Sequence, residues 1–355
     1  MCVNKKATYL AVFVLAMTVF VGVTASLLHQ KVLYQSKAAP LNNNPQVYGG
    51  TAVTSPNKWP FIVRLFDVQT IFGNQIGSPF NTGFCDGTLI APQWILTAAH
   101  CIHGRNGSSI NIYIGDFDLQ SNVGTSYEIA SDGIFEYPNY NPKTHENDIA
   151  LIKLAKPVEN IKPVKLVSDN FFEKEGQLTV VSGWGLMENE QKPTQLRYGI
   201  LPIIDNNRAI KWDSTYKNSV FTSTIVAGYP NGGVSFCAGD SGGPLLVYDG
   251  AHWLQLGIVS ATKFGRVYSF EPTCGAKHKP DIFTRLSYIG IDTNGNKINF
   301  LQWVTQYVGT NQQDFFAGMP FSPSEKNEYY NRVCDSSEWE NKLPPVCPLF
   351  IFHGQ

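Results

Sequence analysis

Short apolar runs, separated by polar and turn-forming residues, make up most of the chain. Residues 61–66, 94–97, 110–114, 149–154, 178–182, 245–247 and 254–260 are each about one strand long and too short for an ordinary helix. Between them the 31 glycines and 21 prolines are scattered, placing turns at close intervals. This texture predicts an all-β architecture. One segment has helical periodicity instead: Phe300, Trp303, Val304 and Tyr307 stand at i, i+3, i+4 and i+7. That spacing predicts a closing helix with a single apolar docking face. No internal repeat interrupts the pattern.

The two ends differ from the middle. Lys5 and Lys6 precede an uncharged apolar run over residues 7–28, and Val23 and Ala25 meet the small-residue rule for cleavage after Ala25. Residues 1–25 are therefore expected to be an export signal. If retained, the run is close to the about 20 residues that span a bilayer, and it would then anchor the chain in a membrane. Residues 26–46 are polar and read as a linker or propeptide. Even texture extends over 47–310. Residues 311–355, with two proline-containing patches, read as a small appendage.

Composition narrows the function classes. Apolar residues make up 43% of the chain, enough for a sizeable core. Formal net charge is -1 with no basic stripe, so no nucleic-acid partner is expected. Of the 7 cysteines, Cys2 lies in the leader. Cys85, Cys101, Cys237, Cys274, Cys334 and Cys347 form an even set, which in an exported chain suggests disulfides. Their spacing resembles no zinc site, so no metal and no cofactor are expected. The localisation expected is secreted or extracellular, or periplasmic in a bacterium.

Three strings carry chemistry. In Gly239-Asp240-Ser241-Gly242-Gly243-Pro244, glycines flanking a serine let the backbone turn sharply and face its amides toward a ligand. A serine hydroxyl is a weak nucleophile that needs a base and oxyanion donors. The amides of Gly239 and Ser241 are candidates for those donors. Leu96-Thr97-Ala98-Ala99-His100-Cys101 supplies a base, His100, at the end of a strand-like run. Asn147-Asp148-Ile149-Ala150-Leu151 puts Asp148 before an apolar strand, where a carboxylate can orient a histidine.

Together these strings resemble the trypsin/chymotrypsin family of serine endopeptidases, which has the same order of His, Asp and Ser. Val47-Tyr48-Gly49-Gly50 resembles its mature amino terminus, Gly183-Trp184-Gly185 its internal signature, and residues 279–285 its late strand. The likeness covers about residues 47–308. It implies two six-stranded antiparallel β-barrels with a C-terminal helix, and a triad of His100, Asp148 and Ser241 acting through an acyl-enzyme. It implies the pairs Cys85–Cys101 and Cys237–Cys274, and with them Cys334–Cys347. It further implies a zymogen in which a new amino terminus at Val47 pairs with Asp240. The expected partner is a protein or peptide substrate; Gln46 departs from the basic residue common before that terminus, so the chain either needs an activating protease of another specificity or stays a zymogen.

The resemblance places Ser235, Phe236, Ser260, Thr262 and Asp281 around the substrate side chain. Ser235 stands where trypsin-like specificity uses an aspartate, Asp281 where glycine is common, and residues 263–273 add a loop nearby. The preferred side chain stays open on these departures. An inactive, protease-like binding protein is the alternative. A lipase or esterase is disfavoured, because that class runs Ser, Asp, His.

Overall fold

The computed structural model describes residues 47–71, 74–121, 123–167, 169–187, 190–249, 252–261 and 274–309. The leader, residues 26–46, Thr262, and residues 311–355 with Cys334 and Cys347 lie outside them.

The apolar runs close into two antiparallel β-barrels. The first consists of β1 (Ile62–Asp67), β2 (Gly83–Ala91), β3 (Trp94–Thr97), β4 (Ile110–Ile114), β5 (Thr125–Glu136) and β6 (Ala150–Leu154). The second consists of β7 (Leu178–Gly183), β8 (Arg197–Ile204), β9 (Thr224–Ala227), β10 (Pro244–Tyr248), β11 (Trp253–Ala261) and β12 (Asp281–Arg285). Each barrel closes in the same cyclic order: first, second, third, sixth, fifth, fourth strand. Closure removes the exposed edges that open sheets must otherwise protect. Short strands at Thr51–Ala52 and Lys165–Leu166 extend the second barrel, the latter parallel to β11.

Register brings the chemistry-bearing strings to one place. Thr97 on β3 pairs with Ala150 on β6, so the residues just after β3 and just before β6 emerge at the same end; these hold His100 and Asp148. Pro244 on β10 pairs with Ile258 on β11, which puts Ser241 and Ser260 at one end of the second barrel.

The cores are filled by fully buried apolar residues, including Val63, Leu65, Leu89 and Ile152 in the first barrel and Val180, Leu201, Leu245 and Phe283 in the second. Trp59 joins them, edge-on to Tyr198 at 5.2 Å and to Trp253 at 5.3 Å. The closing helix, Phe300–Val308, buries Phe300, Trp303 and Val304. Its docking partner is the first barrel's side of the molecule, where Tyr137 meets Phe300 at 5.0 Å and Trp303 at 5.3 Å. The Asn299 side chain caps it by accepting from the Gln302 amide at 2.9 Å, a contact of about 1 kcal/mol. Two further helices, α1 (Ala99–Ile102) and α2 (Asn206–Trp212), were not anticipated by periodicity. Both are too short to show it.

Candidate active site

Asp148 is fully buried, and its contacts come from both barrels. Oδ2 lies 2.7 Å from His100 Nδ1, whose N–H donates to it, and also accepts from Ser260 Oγ at 2.6 Å. Oδ1 accepts from the His100 amide at 2.9 Å, and the Asp148 carbonyl accepts from Thr284 Oγ1 at 2.8 Å. Burial alone would raise this carboxyl. The His100 charge, with the donors from His100 and Ser260, outweighs it and holds the carboxyl below its ordinary value. His100 is the mirror case. Burial opposes its imidazolium, but the adjacent Asp148 carboxylate wins and raises it above the ordinary histidine value.

His100 sits in α1, locked to β2 by the Cys85–Cys101 disulfide. A second disulfide, Cys237–Cys274, braces the loop that leads to Ser241. Ser241 itself is partly exposed. Its carbonyl accepts from the Asp86 amide at 2.7 Å, and the next amide, Gly242, donates to the Val259 carbonyl at 2.8 Å. Gly242 has φ +81°, and a Cβ there would stand 2.2 Å from Thr97 Oγ1 and 3.2 Å from the Ala98 nitrogen. Only glycine allows this close approach, which brings the serine turn against the segment that enters α1.

The amides of Gly239 and Ser241 donate to no acceptor among the described residues, whereas the Asp240 amide between them donates to the Cys237 carbonyl at 3.0 Å. The Asp240 side chain turns inward. It is fully buried and accepts from the amides of Gly185 at 2.6 Å and Cys237 at 2.8 Å. Burial, with the nearby Asp86 charge, pushes it up to about 7. Val47 is 1% exposed with φ +45°. The next carbonyl, that of Tyr48, accepts from the Ser235 amide at 2.9 Å, so this segment is docked beside the serine loop.

Of the residues expected around the substrate side chain, Ser235 and Asp281 are brought together and buried. Ser235 Oγ donates to Asp281 Oδ1 at 2.6 Å, and the Phe236 amide donates to Asp281 Oδ2 at 3.0 Å. Burial raises Asp281 well above the usual carboxylate range. The Phe236 ring is 3% exposed and packs edge-on against Phe283 at 5.5 Å. Ser260 turns its hydroxyl to Asp148. Thr262 lies outside the described residues.

Sequence reasoning passed over three residues here. His145 stacks on His100 with ring centroids 5.1 Å apart, and its Nδ1 is 3.9 Å from Asp148 Oδ2. Burial lowers its tendency to protonate. A histidine three residues before the candidate aspartate was its only signal. His100, His145 and Asp148 each offer a ligand atom, all within 4.8 Å of one another, so they have cation-holding spacing; Oδ2 of Asp148 is already engaged by two donors. Arg64 and Asp86 form a buried ion pair at 2.7 Å behind the serine loop. Their signals were an arginine inside an apolar run and an aspartate directly after Cys85.

The buried carboxylate, oriented imidazole and glycine-flanked serine have the chemistry of a serine hydrolase. The model of the family described as Trypsin matches residues 48–290. The chain is 28% identical over 237 residues to vitamin K-dependent protein C of Mus musculus, covering 63% of this chain and 46% of that protein. It is 31% identical over 271 residues to the clotting factor G beta subunit of Tachypleus tridentatus, covering 72% of this chain and 79% of that one. The match thus spans about half the length of the first relative and most of the second. With the family matched over most of the chain and both barrels formed, the chain belongs to the trypsin family and is a serine endopeptidase.

Proposed function

We propose that the protein hydrolyses peptide bonds of protein substrates through a triad of His100, Asp148 and Ser241. The carrying observation is the His100–Asp148 contact of 2.7 Å, with Asp148 buried, its carboxyl held below the ordinary value by His100, and His100 partly exposed. Asp148 holds the Nδ1–H tautomer, which leaves Nε2 as the base. Ser241 Oγ gives its proton to Nε2 and attacks the scissile carbonyl. The free amides of Gly239 and Ser241 take the oxyanion, each worth about 2.7–4 kcal/mol in the transition state. Collapse expels the amine, which takes the proton from His100 and leaves an acyl ester on Ser241. Water, deprotonated by His100, attacks the ester, and the proton returns to Ser241 as the acid departs.

Activation by a cut before Val47 fits the same arrangement. A φ of +45° is a poor conformation for a β-branched residue, costing on the order of 1–3 kcal/mol. Hydrolysis of the 46–47 bond abolishes that dihedral. It also creates an ammonium, for which the inward-facing Asp240 carboxyl is the partner. Residues 1–25 serve as the export signal or anchor, 26–46 as the propeptide, 47–310 as the protease domain, and 311–355 as an appendage closed by Cys334–Cys347. The two disulfides Cys85–Cys101 and Cys237–Cys274 support an oxidising, extracellular destination.

The test uses protein processed to start at Val47, a fluorophosphonate label and a mixed peptide library, with Ser241→Ala as control. Labelling and cleavage by the wild type alone are expected. A wild type that neither labels nor cleaves, with the Val47 terminus verified, overturns the reading.

A further inference from the structure

An arginine in the apolar run of β1 is out of place unless something inside the protein requires it. Arg64 is 1% exposed. Its Nη1 donates to Asp86 Oδ1 at 2.7 Å and to the Gly239 carbonyl at 2.7 Å, with a longer approach to the Cys85 carbonyl at 3.5 Å. Asp86, on β2, is fully buried; its Oδ2 accepts from the Trp184 amide at 3.0 Å, and its own amide donates to the Ser241 carbonyl at 2.7 Å. Burying such a pair gains little stability over apolar residues of similar size, so stability alone does not account for its presence.

A role follows from which backbone groups the pair engages. The turn from Gly239 to Ser241 has a carbonyl held at each end, by Arg64 and by the Asp86 amide, and its middle is held by the Asp240 side chain on Gly185 and Cys237. The amides of Gly239 and Ser241 are what remains unengaged. Gly239 has φ +107°, which its lack of a Cβ permits; holding its carbonyl fixes the Gly239–Asp240 peptide, which lies between the two peptides that carry the free amides. The guanidinium also lies directly behind this residue: a Cβ on Gly239 would be 3.5 Å from Nη2 and 3.7 Å from Nη1.

Charge counting separates this device from the amino terminus. A Cβ on Gly183 would lie 2.3 Å from Asp86 Oδ2 and 2.3 Å from Asp240 Oδ1, so the two carboxylates are neighbours. Arg64 bonds Asp86 and leaves Asp240 with backbone donors only. One cation is therefore present for two acids, and the second place is left for the Val47 ammonium.

We propose that Arg64, seated on Asp86, is a positioning residue for the oxyanion hole, holding the Gly239–Ser241 turn from the first barrel so that its two free amides face the reacting carbonyl. This rests on the reading of Gly239 and Ser241 as oxyanion donors. Preorganised donors of this kind act on the transition state rather than on substrate binding.

The experiment compares processed wild type with Arg64→Met, Arg64→Lys and the double variant Arg64→Met/Asp86→Ala. The double variant removes both charges, so a stranded carboxylate cannot unfold it. Rates are expressed per active site titrated with fluorophosphonate, beside affinity for a peptide aldehyde, which forms a tetrahedral adduct, and for its unreactive amide counterpart. Expected for the double variant are a 10- to 100-fold fall in kcat with KM within about twofold, a parallel loss of aldehyde affinity, unchanged amide affinity, and partial recovery in Arg64→Lys. A kcat per titrated site within twofold of wild type overturns the positioning role, as does equal loss of aldehyde and amide affinity. A wild type that is never labelled overturns instead the reading on which this one rests.

Discussion

Ser235 and Asp281, 46 residues apart in the chain, share a 2.6 Å hydrogen bond in which the serine hydroxyl donates to the carboxyl. Both are buried, and the Phe236 amide takes the other carboxyl oxygen. The acid expected beside the substrate side chain is thus capped from two directions, and burial holds it well above the ordinary carboxylate range. It is neutral at low pH and becomes an anion as pH rises through that raised value.

A pH-dependent preference follows. The ratio of kcat/KM for substrates with lysine or arginine before the cut to that for leucine is expected to rise with pH as Asp281 ionises. In Asp281→Asn the ratio should be flat and lower at high pH. Matched peptide substrates assayed from pH 6 to 10 read this directly, and a wild-type ratio independent of pH would sink it.

On the proposed mechanism the acid limb of activity is set by His100. Its raised pKa means that the neutral base appears only above the ordinary histidine value of about 6.5. The kcat/KM profile is expected to fall through a midpoint above that value as pH drops. Asp148→Asn removes the carboxylate that raises it, shifting the limb downward and reducing kcat by about 10⁴-fold. An unshifted limb in that variant would assign the titration to another group, with His145 the nearest candidate.

Ser260→Ala tests the donor that reaches Asp148 from the second barrel. A hydrogen bond to a charged group is worth about 1.5–3 kcal/mol. Unfolding in urea at pH 8 should show a loss of that order, and kcat should fall about tenfold as the imidazole loses its fixed orientation. Wild-type values for both would mean that His100 alone secures the carboxylate.

Removing Cys85–Cys101 as a Cys85→Ala/Cys101→Ala pair opens a loop with a sequence separation of 16. A loop of that length corresponds to about 3 kcal/mol of denatured-state entropy. Guanidinium unfolding is expected to report a loss of up to that size. Activity should fall more than stability alone explains, because α1 carries His100 next to Cys101. A variant of reduced stability but full specific activity would show that α1 needs no covalent tie.

Candidate residues whose context lies within a local string were readable from the sequence. Ser241 and its glycines, His100 beside Cys101, and Asp148 before an apolar strand each bring their context with them. The apolar runs at 94–97 and 110–114 match β3 and β4 residue for residue. β5 escaped notice because it is largely polar, with a register shift between Ile129 and Ile134, and β8 because Gly199 and Pro202 interrupt it. The Arg64–Asp86 pair was hidden for a different reason: each partner is odd alone, and only the pairing of β1 with β2 at Arg64 and Asp86 makes them one unit. The burial of Asp281 under Ser235 likewise depends on a contact across 46 residues that no local pattern announces.

Asp148 receives Ser260 and Thr284, which follow it in the chain by 112 and 136 residues. A growing polypeptide therefore contains the whole first barrel, with His100 and Asp148, well before the two hydroxyls that bond Asp148 have been synthesised. On the proposed mechanism the capacity to cut protein cannot precede closure of the second barrel, and the cut before Val47 is a later step still.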